Sequence, residues 1–235
     1  MVVTSEAPVS FLAKLSSQVF PRMTDFYALI QNQCDVSIKS AILLEKYVQS
    51  PSTSLHDQIN KLTIESEAIR QRNLEVLKNA FATPLDREDI YRACTTVDYM
   101  VSYASNIVSG MEEMGVSPDK HIVDMVTQLR ISVETMGTAY KQIVDSHAEA
   151  GKNAKLVIKT RKSVEKIFRS SLASLFNEDE FLKGLQNVTE GAKAEAVLHI
   201  MNTFKRREIY RQLNDAAIDI GKSGKVLYDI IIQSH

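Results

Sequence analysis

The chain has 235 residues, of which 44% are apolar and 24% charged, and its net charge is −1. This apolar content is enough to bury a core, which excludes an intrinsically disordered protein, and the near-zero charge argues against a general nucleic-acid binder. Only 8 Gly and 5 Pro are present, where average usage would give roughly 16 and 12. A chain so poor in turn residues is expected to form long helices rather than an all-β fold.

Three features of the sequence bear on the location of the protein. Cys34 and Cys94 form no C-x-x-C motif, which favours free thiols in a reducing compartment. No apolar run approaches the about 18 residues that a membrane span needs. The first ten residues carry acidic Glu6 rather than the basic charges of a signal peptide. We therefore expect a soluble, cytoplasmic protein.

Three helices are predicted in the first half of the chain. Apolar residues at 3–4 spacing predict a first helix over residues 26–48. Ser54 is the predicted N-cap of the second helix. The third helix follows Asp86, whose carboxylate is expected to accept a hydrogen bond from the Asp89 backbone N–H, and Gly115 is expected to end it.

Three further helices are predicted in the second half. Ser117 followed by Pro118 is typical of a cap and a first helical residue. The fourth helix is expected to run to a break at Gly151, and the fifth from there to about residue 176. Thr189 starts the predicted last helix. The predicted fold is all-α, with about six long antiparallel helices.

A weak internal repeat divides the chain into two parts. The sequence D-I-Y-R at residues 89–92 recurs as E-I-Y-R at 208–211, and L-K-N-A-F at 77–81 is similar to L-A-S-L-F at 172–176. The two matches occur in the same order, which predicts two related three-helix units. The predicted units are residues 20–116 and 117–235 of a single domain spanning 1–235.

The sequence contains no complete catalytic motif. Residues 221–223 read G-K-S, but a phosphate-binding loop needs a Gly where Ala216 stands and a strand before it. The five histidines are scattered and form no H-E-x-x-H motif. Because no nucleophile and base can be paired from the sequence, we do not expect an enzyme.

The strongest positive signal is a row of basic residues on the predicted fifth helix. It consists of Lys152, Lys155, Lys159, Lys162, Lys166 and Arg169. Their 3-4-3-4-3 spacing confines them to about 100° of one helix face, with apolar residues such as Val157 and Val164 opposite. Glu165 is the only acid within the row. This basic face is either an ordinary solvated surface or a site for an anionic partner: an acidic protein surface, anionic lipid headgroups or nucleic acid.

Acidic residues cluster at the start of the predicted third helix. Asp86, Glu88 and Asp89 lie in its first turn, and Asp98 follows nine residues after Asp89. Acids in a first turn complement the helix dipole, which is sufficient reason for them. A carboxylate surface is also what a hard cation prefers.

Residues 81–91, F-A-T-P-L-D-R-E-D-I-Y, resemble a signature of the PhoU-like proteins of unknown function, which are labelled phosphate transport regulators. Phe20-Pro21-Arg22, before the first helix, and Lys205 with residues 208–210 share the resemblance. It spans nearly the whole chain and implies the PhoU architecture, a pair of three-helix bundles. It also implies action beside low-affinity phosphate permeases of the Pit type, and relatives bind multinuclear metal clusters through acidic helix motifs.

The acidic motifs of that family are incomplete here. The first half keeps Glu65, Glu67 and Asp98, and the second half keeps only Glu165. Other expected acids are replaced by Ile69, Tyr99, Ser102, Arg161, Asn214, Ile218 and Lys222. Since Arg and Lys would repel a cation, no cluster is predicted in the second half. The first-half candidates for iron, manganese or zinc are Glu65, Asp86, Asp89 and Asp98.

Two functions of different classes follow. The first is a non-catalytic regulatory or adaptor protein, without a cofactor, which binds a protein partner such as a Pit-type phosphate permease. Its basic face would meet an acidic loop or the anionic inner leaflet, where each basic residue adds about 1 kcal/mol. The alternative is a metal-binding helical protein that uses the first-half carboxylates. Nucleic acid is not an expected partner because aromatic residues are scarce near the basic face, and a homo-oligomer stays open.

Overall fold

The computed structural model describes residues 24–177 and 193–233, with the side chains of 193–196 left aside, and these residues form six α-helices. The helices are α1 (Phe26–Gln49), α2 (Thr53–Asn79), α3 (Arg87–Met114), α4 (Lys120–Gln142), α5 (His147–Leu175) and α6 (Lys193–Gln233). No strand occurs within these ranges. The prediction of an all-α fold with six long helices is confirmed. The predicted helix start at Thr189 and the segment Phe20-Pro21-Arg22 lie outside the described residues.

The residue that caps the start of α2 is not the one that the sequence predicted. Ser52 rather than Ser54 is the N-cap: its backbone is extended, and its hydroxyl accepts a hydrogen bond from the Leu55 N–H at 3.3 Å. Ser54 lies inside the helix. Three serines and threonines in a row offer equivalent capping groups, so the sequence pattern alone does not select among them.

Both ends of α3 are at the predicted places. The Asp86 carboxylate caps the helix, but it accepts its hydrogen bond from the Glu88 N–H at 2.7 Å rather than from Asp89. Gly115 ends the helix with φ of 65°, in the left-handed region that favours glycine. The Gly115 N–H donates to Glu112 and the following N–H donates to Met111, which completes a Schellman motif.

The start of α4 and the break between α4 and α5 differ from the predicted positions. Asp119, not Ser117, caps α4, and its carboxylate accepts from the Ile122 N–H at 2.9 Å. The predicted break at Gly151 is wrong, because α4 already ends at Gln142 and Gly151 lies within α5. A single glycine costs a helix only about 1 kcal/mol relative to alanine, which tertiary packing overcomes.

The six helices pack as two groups of three that share a core. Each of α1, α2 and α3 contacts the other two, and the same holds for α4, α5 and α6. Contacts of α1 with α4 and of α3 with α6 join the groups, and buried apolar residues from both form one continuous cluster. The division into repeated units at 20–116 and 117–235 stays a prediction.

A close contact between α5 and α6 fixes the orientation of α5. At Gly224 of α6, a Cβ atom would lie 2.7 Å from Val157 Cγ1 and 3.2 Å from the Ile158 backbone nitrogen. The glycine therefore lets the two backbones approach, and the face of α5 that carries Val157 is held against α6. None of the described helices is long and apolar enough to cross a membrane.

Candidate functional site

The basic face of α5 points away from the core. Ala154, Val157 and Val164 are fully buried, and Phe168 and Leu172 pack against the core from its margin. All six basic residues of the row, Lys152, Lys155, Lys159, Lys162, Lys166 and Arg169, are exposed. The predicted division of α5 into an apolar and a basic face is therefore confirmed in its geometry.

The two ends of the basic face are paired with acids of the same helix. Lys152 Nζ lies 2.6 Å from Glu149 Oε1, and Arg169 Nη2 lies 2.6 Å from Glu165 Oε1. Both basic side chains stay largely exposed, at 69% and 76%. Exposed pairs of this spacing contribute only about 0.3–0.5 kcal/mol, so a stronger anionic partner can displace them.

The middle of the basic face has no acidic partner among the residues that the structure describes. Lys155 Nζ lies 5.1 Å from the centre of the Tyr228 ring, a cation–π contact that leaves its charge in place. Lys159, Lys162 and Lys166 make no hydrogen bond or ion pair with any part of the chain that the structure describes. Lys159 and Lys166 are seven steps apart along the helix, which is about 10 Å. A continuous positive strip of that length is open to an anionic surface.

Two arginines of α6, Arg206 and Arg211, are paired with carboxylates. Arg206 Nη1 contacts Asp119 Oδ2 at 2.6 Å, and Arg211 contacts both Glu208 and Asp215. Burial raises the pKa of Asp119, but hydrogen bonds from Tyr210, the Ile122 N–H and Arg206 outweigh it, so the net pKa lies below its ordinary value. Arg206 therefore joins α6 to the start of α4, whereas the pairs of Arg211 are exposed and lie within α6.

The predicted metal ligand Asp98 is occupied by protein donors. Ser66 Oγ donates to Asp98 Oδ1 at 2.9 Å, and Arg70 Nε lies 3.0 Å from Asp98 Oδ2. Burial raises the pKa of Asp98 above its ordinary value, while Ser66 and Arg70 act in the opposite direction. Arg70 also donates to Glu67, which lowers the pKa of that carboxyl. A cation that binds Asp98 would have to displace the Arg70 guanidinium, whose positive charge repels it.

The other predicted metal ligands lie apart in separate roles. Asp89 is buried and pairs with Arg92 Nη1 at 3.2 Å, Asp86 caps α3, and Glu65 is exposed on α2. Across residues 24–177 and 193–233, no three His, Cys, Asp or Glu side chains meet in a group that could hold a metal ion. The arrangement does not fit the multinuclear cluster that the resemblance implied.

One surface was missed by the sequence analysis. A groove of about 440 Å³ runs between α1 and α2, with an apolar floor and lysines at its rim. The pattern at Lys39, Ile42, Leu43 and Lys46 marks one face of α1. The sequence does not reveal that Leu62 of α2 lies beside that face, so the groove appears only in the structure.

No family model and no curated protein matches this chain. Two solved structures from Shewanella oneidensis MR-1 share its fold. A PhoU-like protein superposes with a TM-score of 0.63 at 12% sequence identity, over 89% of this chain and 100% of its own. A protein assigned as a PhoU-like phosphate regulatory protein superposes with a TM-score of 0.54 at 12% identity and the same coverage. At this identity the similarity shows a PhoU-like helical fold.

Proposed function

We propose that this protein is a non-catalytic regulatory or adaptor protein that takes part in the control of phosphate transport. It acts by binding an anionic surface of a protein partner through the basic face of α5. The partner is the cytoplasmic side of a membrane transporter, such as a phosphate permease of the Pit type, and the protein lies peripheral to the inner membrane when bound.

The observation that supports this proposal is the strip formed by Lys159, Lys162 and Lys166, which are unpaired as far as the described residues extend. Exposed lysines without an ion pair to the described residues also occur elsewhere, for example Lys78, Lys120 and Lys225, but those three lie on three different helices. On α5 three such lysines follow one another along one helix face, while Ala154, Val157 and Val164 on the opposite face are buried. Electrostatic complementarity of this kind steers a partner and sets its orientation.

The link to phosphate comes from the structural relatives. One of the two similar structures is assigned a phosphate regulatory role, and the shared fold supports the same role here. The alternative of a metal-binding protein has no comparable support, because each candidate carboxylate within the described residues has another role or lies apart from the rest.

Phosphate uptake in the native host tests the proposal. A strain lacking the gene is complemented with the wild type, with the basic-face variant K159E/K162E/K166E, or with the charge-matched variant K78E/K120E/K225E. The control lysines are exposed and form no ion pair with the described residues.

We expect deletion to change the rate of labelled phosphate uptake, and the wild type and the control variant to restore it. The basic-face variant should accumulate to the same level without restoring uptake. Unchanged uptake after deletion would contradict the phosphate role. Full restoration by the basic-face variant would contradict the role of α5.

A further inference from the structure

The groove between α1 and α2 is lined by apolar side chains that remain partly open to solvent. Leu43 packs against the buried core, whereas Ile42 and Leu62 are partly buried and lie outside the core cluster. Apolar surface removed from water contributes about 25 cal/mol per Å². A partner that covers Ile42 and Leu62 would gain this contribution without disturbing the packing beneath them.

The rim of the groove carries positive charge from both helices. Lys39 and Lys46 lie two turns apart on α1, about 10 Å along the helix, and Lys61 faces them from α2. All three are exposed, and none forms an ion pair within 4 Å among the described residues. The apolar residues of the groove are thus flanked by three lysines that no carboxylate of residues 24–177 or 193–233 neutralises.

We propose that this groove binds an acidic amphipathic helix of another protein. Its apolar residues would cover Ile42, Leu43 and Leu62, and its flanking carboxylates would pair with the three lysines. This is the helix-in-groove mode, in which anchors recur at i, i+3, i+4 and i+7. The volume of about 440 Å³ accommodates a few aliphatic side chains. Lysines on both sides of the apolar residues match a helix that carries carboxylates on both flanks of an apolar stripe.

The groove lies on α1 and α2, away from the basic face of α5, so this proposal is independent of the proposed function. It would give the protein two docking surfaces of different chemistry. The groove combines charge with apolar contact, whereas the basic face of α5 presents charge alone.

Fluorescence anisotropy with a labelled peptide tests the proposal. The probe is a 16-residue acidic peptide with Leu at helix positions i, i+3, i+4 and i+7 and Glu between them, and the control peptide has the same composition in scrambled order. Each is titrated with the wild type, the rim variant K39E/K46E/K61E, the floor variant L62Q and the α5 variant K159E/K162E/K166E. Circular dichroism confirms that each variant is folded.

We expect the amphipathic peptide to bind at least tenfold more tightly than the scrambled one. The rim variant should weaken binding by at least about tenfold, because each exposed charge pair contributes 0.2–1 kcal/mol and reversal adds repulsion. L62Q should weaken it about fivefold, and raising the salt concentration should leave the effect of L62Q unchanged. The α5 variant should bind like the wild type.

Three results would overturn the proposal. Equal binding of both peptides would show that charge alone attracts them. Equal losses for the rim variant and the α5 variant would show that net charge governs binding. Loss of binding to anionic vesicles by the rim variant, with peptide binding intact, would assign the groove to a lipid surface.

Discussion

The carboxylates of α3 and the lysines of α5 are both charged groups on long helices, yet the fold treats them in opposite ways. Asp98 and Asp89 are buried, and each is paired with an arginine. Lys159, Lys162 and Lys166 are exposed and unpaired within the described residues. The difference teaches that charge alone does not mark a site: the acids serve the fold, while the lysines stay open to a partner.

Removal of a buried acid should have the largest effect. In D98A, Ser66 loses its partner and Arg70 keeps only Glu67, in a site where the Asp98 side chain is 10% exposed. We expect the free energy of unfolding to fall by about 3 kcal/mol, the lower end of the range for breaking a buried ion pair, because Arg70 is partly exposed and stays paired. E165A, which breaks an exposed pair with Arg169, should cost less than about 0.5 kcal/mol. Urea denaturation measures both; equal losses would mean that Asp98 is not a structural acid.

Reversal of the α5 charges should act on binding and not on stability. The basic-face variant K159E/K162E/K166E should bind vesicles with anionic headgroups about 100-fold more weakly than the wild type, since each lysine contributes about 1 kcal/mol. Its urea midpoint should match that of the wild type. Sedimentation with anionic and neutral vesicles measures the first effect. Equal binding of the wild type to both vesicle types would remove the lipid contact and leave an acidic protein surface as the partner.

Replacing Gly224 of α6 by alanine places a methyl group between α5 and α6 and tests which face of α5 packs against α6. In G224A the new Cβ would lie 2.7 Å from Val157 Cγ1, so we expect a loss of about 1–3 kcal/mol. G221A is the matched control, because its Cβ would meet only ordinary contacts, the nearest being Arg161 Cβ at 3.6 Å. It should be neutral or slightly stabilising. If thermal unfolding shows the same midpoint for both variants, α5 does not pack on α6 through Val157.

The Asp119 network should produce a smaller, pH-dependent effect. The pKa of Asp119 is below its ordinary value in the folded protein. Its contribution to stability is therefore fully present above the unfolded-state value of about 4 and is lost as the pH falls through the folded-state pKa. D119N should lose about 1 kcal/mol at neutral pH, and the gap to the wild type should narrow in acid. D215N, in an exposed pair with Arg211, is the control; a gap that widens in acid would contradict the assignment.

Periodicity predicted the helices and the two faces of α5 because both depend on residues three and four positions apart. Periodicity does not show which residues of different helices come into contact. Tyr91 and Tyr210 occupy matching positions of the repeat, but Tyr91 is 52% exposed, whereas Tyr210 is 2% exposed and donates to Asp119. In the same way, the sequence predicted Asp98 as a metal ligand, because it does not show that Arg70 of another helix contacts the carboxylate.

Metal content is the most direct test of the claim that the acids belong to the fold. Untagged, purified protein is measured by mass spectrometry before and after soaking with iron, manganese and zinc, followed by desalting. The account predicts no stoichiometric metal in either sample, because Asp98 and Asp89 are already paired with arginines. One or more metal ions retained per chain, and lost in the variant D86A/D98A, would contradict it.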